Sequence, residues 1–161
     1  MRPSLDMVRG WLAEIPDPEI PAVSLVDLGI VRGVDYEEDR LVVTVTPTYS
    51  GCPATSVIAL DIETELLRRG ARNVSVRQKL SPAWTTDWIS AEGRRKLEEY
   101  GIAPPSGTSA TCAGLMSRQH ASCPRCGSAN TEMLAARGST PCKAQFRCRE
   151  CLEPFDYFKV I

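Results

Sequence analysis

Residues 30–46 read IVRGVDYEEDRLVVTVT, and this stretch decides the fold. Two runs rich in β-branched residues, at 30–36 and 41–46, flank the acidic residues 37–39. Such runs, separated by a short polar segment, are typical of two paired strands. The stretch therefore predicts an antiparallel hairpin.

The segments around the hairpin alternate between helical and strand patterns. Before it, residues 5–15 place apolar side chains at helical spacing behind Ser4, a residue type that suits an N-cap. After it, residues 58–67 repeat the helical spacing, residues 74–77 alternate like a strand, and residues 90–100 predict a last helix. The order α-β-β-α-β-α predicts the α+β fold class, as a small α/β sandwich.

A change of composition divides the chain of 161 residues. Proline, serine, threonine and glycine are frequent in residues 102–114, which leaves little apolar surface to order the segment. We therefore predict an α+β domain at 1–103, a linker at 104–117 and a small cysteine-rich module at 118–161. A module of this size needs a metal or a disulfide to hold it together.

Four of the seven cysteines form two Cys-x-x-Cys pairs, with 21 residues between the pairs. Two such knuckles bring four thiolates around one ion, and tetrahedral zinc suits that donor set. We predict a structural β zinc ribbon with the ligands Cys123, Cys126, Cys148 and Cys151. A rubredoxin-like iron site uses the same donors and stays an alternative.

Two further residues lie near these pairs in sequence. Cys142 could replace a knuckle ligand, but Cys-x-x-Cys pairs chelate better, so we expect it to be a packed strand thiol. His120 is the one histidine of the chain, and with four cysteines available we expect it to be a solvated loop residue. One histidine also argues against a Cys-His nucleophilic pair and against a di-iron site built from two Glu-x-x-His motifs.

Cys52 lies between a predicted strand and a predicted helix, with Gly51 before it and Pro53 after it. The start of a helix favours the thiolate form, which can ligate metal or act as a nucleophile. A buried, small apolar role at a tight turn is equally compatible with this position. The sequence leaves both interpretations open.

Two other segments could belong to a site. Asp17 and Glu19 flank Pro18 and form either an acid pair or ordinary turn chemistry. A second segment places two aromatic rings around hydroxyls and a carboxylate, at Trp84, Thr85, Thr86, Asp87 and Trp88. These side chains could line a pocket or partner surface, or could cap the sheet.

Composition excludes several classes of function. With 43% hydrophobic residues the chain is expected to fold, and a net charge of -1 lacks the basic surface that nucleic acid requires. No run approaches the roughly 18 apolar residues of a membrane span, and the N-terminus lacks the apolar core of a signal peptide, so we expect a cytoplasmic protein. Glycine-rich nucleotide-binding fingerprints are missing as well.

Three motifs carry a family resemblance: DPEIP at 17–21, SLVDLGIV at 24–31 and TPTYSGCP at 46–53. Together they resemble the SUF-associated iron-sulfur assembly domain family. The resemblance implies a small α+β fold and a role in the maturation of iron-sulfur proteins. It also implies that Cys52 is the family's motif cysteine and that Asp17 and Glu19 belong to its Asp-Pro-Glu loop.

Three further motifs narrow the resemblance: SPAWTTDWI at 81–89, YGIAPP at 100–105 and EPFDYFK at 153–159. With the ribbon, they resemble the PaaD-like (or PaaJ-like) family of D components of bacterial phenylacetyl-CoA epoxidase systems. The resemblance implies phenylacetate catabolism, with the di-iron oxygenase and the iron-sulfur flavin reductase as partners. It further implies help with metal-centre assembly, together with iron-sulfur scaffold proteins, and no catalytic role.

We therefore expect a maturation factor that is not an enzyme. Cys52, with Asp17 and Glu19, would handle iron or a transient iron-sulfur cluster, while a zinc ribbon docks a client or stiffens the complex. Because a cluster wants four cysteine-type ligands, it would be shared with a second copy, a client or these carboxylates. The alternative is a structural or catalytic oxygenase subunit, with residues 84–88 contacting acyl-CoA.

Overall fold

The computed structural model describes residues 2–107 and 120–161. Contacts within the chain define two compact units, Met1–Trp84 and Thr85–Ile161. These units divide at a different residue from the domain ranges 1–103, 104–117 and 118–161, which stay a prediction. Most of the predicted linker, including Cys112, lies outside the described residues.

A three-stranded sheet forms the centre of the first unit. Its strands are β1 (Val31–Glu37), β2 (Arg40–Val45) and β3 (Val74–Gln78), in the order β1-β2-β3. The first two strands are antiparallel, with Glu37 opposite Arg40, whereas β2 and β3 are parallel. The predicted hairpin is confirmed, and β2 is buried because it is the central strand.

Helix α1 (Leu5–Leu12) begins where the sequence predicts. The Ser4 hydroxyl accepts a hydrogen bond from the backbone N–H of Met7 at 3.2 Å, which is the interaction expected of an N-cap. Val8 and Leu12, one turn apart, are fully buried. The apolar stripe therefore packs as its spacing indicates.

Helix α2 (Thr55–Arg68) connects the parallel strands β2 and β3. Its buried residues are Ile58, Ile62 and Leu66, as the helical spacing predicts. Leu67, which the sequence placed on this apolar face, is 52% exposed. The apolar face of α2 is therefore narrower than the sequence pattern.

The second unit combines a helix with a four-stranded sheet. Its elements are a short 3₁₀ turn (Thr86–Trp88), α3 (Ala91–Glu99), β4 (Ile102–Ala103), β5 (Thr131–Ala135), β6 (Lys143–Cys148) and β7 (Pro154–Phe158). The strand order is β4-β7-β6-β5. Ser90 caps α3 by accepting from the N–H of Gly93 at 2.9 Å, as predicted.

Strand β4 was not predicted. It lies at the end of the predicted α+β domain, yet Ile102 and Ala103 pair in parallel with Asp156 and Tyr157 of β7. The Arg94 guanidinium holds the same segment by donating to the carbonyl oxygens of Thr86 at 2.9 Å and Pro105 at 2.8 Å. These contacts explain why α3 belongs to the second unit.

A small apolar cluster lies beneath this sheet. It consists of Ala103, Ala121, Cys123, Ala144, Phe146, Cys148, Phe155 and Tyr157, with Cys151 packed against it. Phe146 and Tyr157 meet edge to face, with ring centroids 5.4 Å apart. Within the described residues, none of the helices has the length and apolar character needed to cross a membrane.

Candidate functional site

Four cysteine side chains converge in the second unit. The Sγ atoms of Cys123, Cys126, Cys148 and Cys151 all lie within 4.8 Å of one another. Cys123 and Cys151 are separated by 3.7 Å between sulfurs, and Cys126 and Cys148 by 3.6 Å. A tetrahedral ion with zinc–sulfur bonds of about 2.3 Å holds its sulfurs about 3.8 Å apart. The four thiols therefore have the spacing of a tetrahedral metal site.

Each Cys-x-x-Cys pair is held in the same backbone loop. The N–H of Cys123 donates to the carbonyl oxygen of Ser128 at 2.9 Å, and the N–H of Cys148 donates to that of Glu153 at 2.9 Å. Both bonds join the first cysteine of a pair to the residue five positions later. Such loops fix the direction of both thiols before a metal arrives.

The thiols shift one another's acidity. A hydrogen bond from the backbone N–H of Cys151, opposed by burial, lowers the pKa of Cys148 to about 7. The N–H of Ser128 lowers the pKa of Cys126, but the Cys148 thiol and burial outweigh it and raise the pKa to about 12. Neighbouring thiols cannot all ionise without a counter-charge. A soft divalent cation supplies that charge, so the donor set fits a metal.

His120 and Cys142 lie outside this group of thiols. His120 is exposed, and its carbonyl oxygen accepts from the Ser106 hydroxyl at 2.7 Å. Cys142 is buried, with its Sγ 3.0 Å from the Thr140 hydroxyl. Neither residue replaces a member of the two pairs.

Cys52 occupies the loop between β2 and α2. Its N–H donates to the carbonyl oxygen of Tyr49 at 3.2 Å, and its own carbonyl oxygen accepts from the N–H of Thr55 at 3.2 Å. Because α2 begins at Thr55, the thiol is close to the positive end of the helix. Cys52 is half-buried, so its sulfur has access to solvent that a fully buried thiol would lack.

Asp17 has a local structural task. It is 5% exposed, and its Oδ1 accepts from the N–H groups of Glu19 at 2.9 Å and Ile20 at 2.8 Å. This is turn chemistry of the aspartate side chain. Glu19 is half-buried. Among the described residues, the grouping of three or more potential metal ligands is that of the four ribbon cysteines, and Cys52 does not join Asp17 and Glu19 in another.

The segment of two tryptophans is divided between the units. Trp84, 3% exposed, donates its Nε1–H to the carbonyl oxygen of Leu28 at 2.9 Å. Thr86 is fully buried, and the Thr85 hydroxyl accepts from the N–H of Asp87 at 2.9 Å. Asp87 is exposed and Trp88 is half-buried. Trp84 and Thr86 therefore have structural contacts, and the surface of this segment is left to its other members.

Sequence reasoning did not single out Leu152, which follows the second cysteine pair. A comparison of the residues that follow the two pairs would have found it, because the first pair is followed by Gly127. Both residues have a positive φ, +75° at Gly127 and +64° at Leu152. Leucine is seldom found in that conformation.

Two family models match the chain. Residues 5–77 match the family model of an iron-sulfur cluster assembly protein, and residues 107–159 match the PaaD zinc beta ribbon domain. The chain therefore joins an iron-sulfur assembly-type domain to a zinc ribbon-type domain.

Two relatives extend these matches. A protein of Escherichia coli strain K12, provisionally named as a subunit, the D component, of 1,2-phenylacetyl-CoA epoxidase, is 45% identical over 99% of this chain and 94% of its own length. The chain belongs to the family of this D component. The Fe-S protein maturation auxiliary factor YitW of Bacillus subtilis strain 168 is 34% identical over 52% of this chain and 82% of its own length.

Solved structures of similar proteins support the fold. A domain of unknown function from Bacillus anthracis, DUF59, has a TM-score of 0.53 and 27% identity, and covers 57% of this chain and 89% of its own. A conserved hypothetical protein of Thermotoga maritima has a TM-score of 0.50 and 28% identity, over 60% of this chain and 95% of its own. The predicted α+β class is confirmed.

Proposed function

We propose that this protein is an accessory maturation factor in phenylacetate degradation. It assists the assembly of iron-sulfur or iron centres in the oxygenase and reductase components of phenylacetyl-CoA epoxidase, in the cytoplasm. The observation that carries this proposal is a half-exposed Cys52 at the start of α2, within a domain that matches an iron-sulfur assembly model. The name of the E. coli relative supplies the pathway.

Cys52 handles the metal cargo as a single thiolate. A stable iron-sulfur cluster is held by four cysteine-type ligands, and Cys52 contributes one. The Asp17 carboxylate already accepts two backbone N–H groups, which leaves Glu19 as the freer acid of its loop. The remaining ligands come from a client or scaffold protein. Cargo held by one bond is released when a client thiolate takes its place.

The ribbon holds a resident ion, which we assign as zinc. Four thiolates at tetrahedral spacing form a closed structural site, because no position is left for substrate. Its task is to fold the second unit and to present a surface to the client. The ribbon and the Cys52 loop therefore have different metal chemistry.

A strain that carries only the Cys52→Ala variant tests the proposal. We expect the variant to fold and to keep its ribbon metal, while epoxidase activity and the iron content of the oxygenase and reductase fall sharply. Ser50→Ala is the matched control, because Ser50 is exposed in the same loop. Normal activity and normal iron content with Cys52→Ala would contradict the proposal.

A second candidate function is a structural or catalytic part of the oxygenase, which the name of the E. coli relative favours. A reconstituted system distinguishes the two functions. If oxygenase and reductase with full metal content turn over without this chain, and need it only when they start metal-free, the maturation role is supported. A requirement for stoichiometric amounts at every turnover would favour the oxygenase role.

A further inference from the structure

The two knuckles of the ribbon share a backbone but differ at one residue. In each, the fourth position after the first cysteine has a positive φ, +75° at Gly127 and +64° at Leu152. The hydrogen bond that closes the loop is the same, from Cys123 to Ser128 and from Cys148 to Glu153. The residue type at this position is therefore the difference to explain.

Glycine is the residue that this conformation favours. Any side chain with a Cβ is disfavoured in the left-handed region, whereas glycine adopts it freely. At Gly127 an added Cβ would meet no atom within 4 Å, so backbone conformation and not space accounts for that glycine. Leu152 departs from this preference in the equivalent loop.

Burial does not compensate for the strain at Leu152. Its side chain is 67% exposed, more than any other large hydrophobic residue among those the structure describes. A leucine that is both strained and exposed stabilises neither the loop nor the core. Strain of this kind persists where a residue has a functional contact.

We infer that Leu152 is a docking residue, which enters an apolar pocket on a protein component of the epoxidase. This inference rests on the proposed function, which supplies that partner. An exposed apolar side chain at the apex of a rigid loop suits a central anchor, because its position is fixed before binding. The ribbon metal holds the loop in place.

The charges around Leu152 favour a protein partner over a phosphate-bearing one. Arg125 pairs with Glu153 at 2.6 Å, and Arg149 pairs with Glu132 at 3.0 Å. Glu150 accepts a hydrogen bond from the side-chain amide of Asn130 at 2.8 Å. With both arginines neutralised within the chain, the surroundings lack the basic surface that nucleic acid or anionic lipid requires. A polar, neutral rim around an apolar centre is typical of protein interfaces.

The test measures binding and stability together in the metal-loaded full chain. Leu152→Gly should raise the midpoint of thermal unfolding of the second unit by about 2–4 °C, and should weaken binding to purified oxygenase or reductase at least about tenfold. Leu152→Ala should weaken binding without the gain in stability, because alanine keeps the disfavoured φ.

Gly127→Leu is the matched control, since it transfers the same strain to the first knuckle. It should lower the unfolding midpoint and leave the dissociation constant within about twofold of the wild type; Gly127→Ala serves if the leucine variant does not fold. Wild-type binding by Leu152→Gly, or no binding of the wild type to either component, would overturn the inference. Self-association that depends on Leu152 would overturn it too, because the occupant would then be a second copy.

The proposed function can fail separately. If Leu152→Gly weakens binding while Cys52→Ala leaves client iron content normal, docking stands and the maturation role falls. If Cys52→Ala removes client iron while Leu152→Gly binds normally, the maturation role stands and the docking assignment falls.

Discussion

Replacing Cys126 by serine should remove the ribbon metal and unfold the second unit. Serine keeps the size of the side chain, but its hydroxyl does not ionise at neutral pH and is a poor ligand for a soft metal. The remaining thiols, of which Cys123 and Cys148 are buried, would then lie together without a counter-charge.

The magnitude follows from the donor set. Structural zinc in small modules contributes about 10–16 kcal/mol at pH 7, so one thiolate of four accounts for about 3 kcal/mol. That loss weakens metal affinity about a hundredfold. The apolar cluster beneath the sheet includes three large rings, those of Phe146, Phe155 and Tyr157. So small a core cannot replace the metal in a domain whose total stability is about 5–15 kcal/mol.

The assay combines metal analysis with proton NMR of the purified variant. We expect less than one metal per chain, and loss of the ring-shifted signals that the edge-to-face contact of Phe146 and Tyr157 produces. Cys142→Ser is the matched control, because Cys142 is a buried cysteine outside the metal group and the Thr140 hydroxyl can bond the new hydroxyl. Full metal content and native signals in Cys126→Ser would refute the four-thiolate assignment.

Two further predictions concern the first unit. Trp84→Phe should lower its free energy of unfolding by about 1–3 kcal/mol, because the buried carbonyl oxygen of Leu28 loses its donor; urea unfolding measures this, and an unchanged midpoint would contradict it. Arg68, and after it Arg69, lowers the pKa of Glu65 from its ordinary 4.5 to about 2. The stabilisation is therefore present above pH 4.5 and is lost as the pH falls toward 2, so Glu65→Gln should flatten the acid side of the pH–stability curve, and an unaltered curve would count against the pairing.

Local signals in the sequence were sufficient for the elements of the first unit. Ser4 and the apolar stripe behind it define α1, and the β-branched runs define the hairpin. Strand β4 could not be predicted in this way. Two residues carry too little periodicity, and the pairing of Ile102 with Asp156 depends on a strand 54 positions later. Leu67 was misplaced because two positions at the edge of a helical stripe differ in exposure only once the helix is docked.

The candidate site divides along the same line. Cysteine spacing alone predicted the four thiols that converge, because Cys-x-x-Cys pairs fix their own geometry locally. The roles of Asp17 and Trp84 required the structure, since a carboxylate can bond its own loop and an indole can bond the distant Leu28. Leu152 required a measured φ, which residue type alone would not predict.

The two metal-related sites differ in a way that lets one chain use both. In the ribbon, four thiolates hold one ion, and two of the ligands are buried, so exchange requires several bonds to break together. At Cys52, one half-exposed thiolate can release its cargo by breaking a single bond. A carrier needs that contrast, because a ribbon that lost its metal to the cargo pathway would lose its fold. The resident ion is thus protected by the number of its ligands, and the cargo is mobile for want of them.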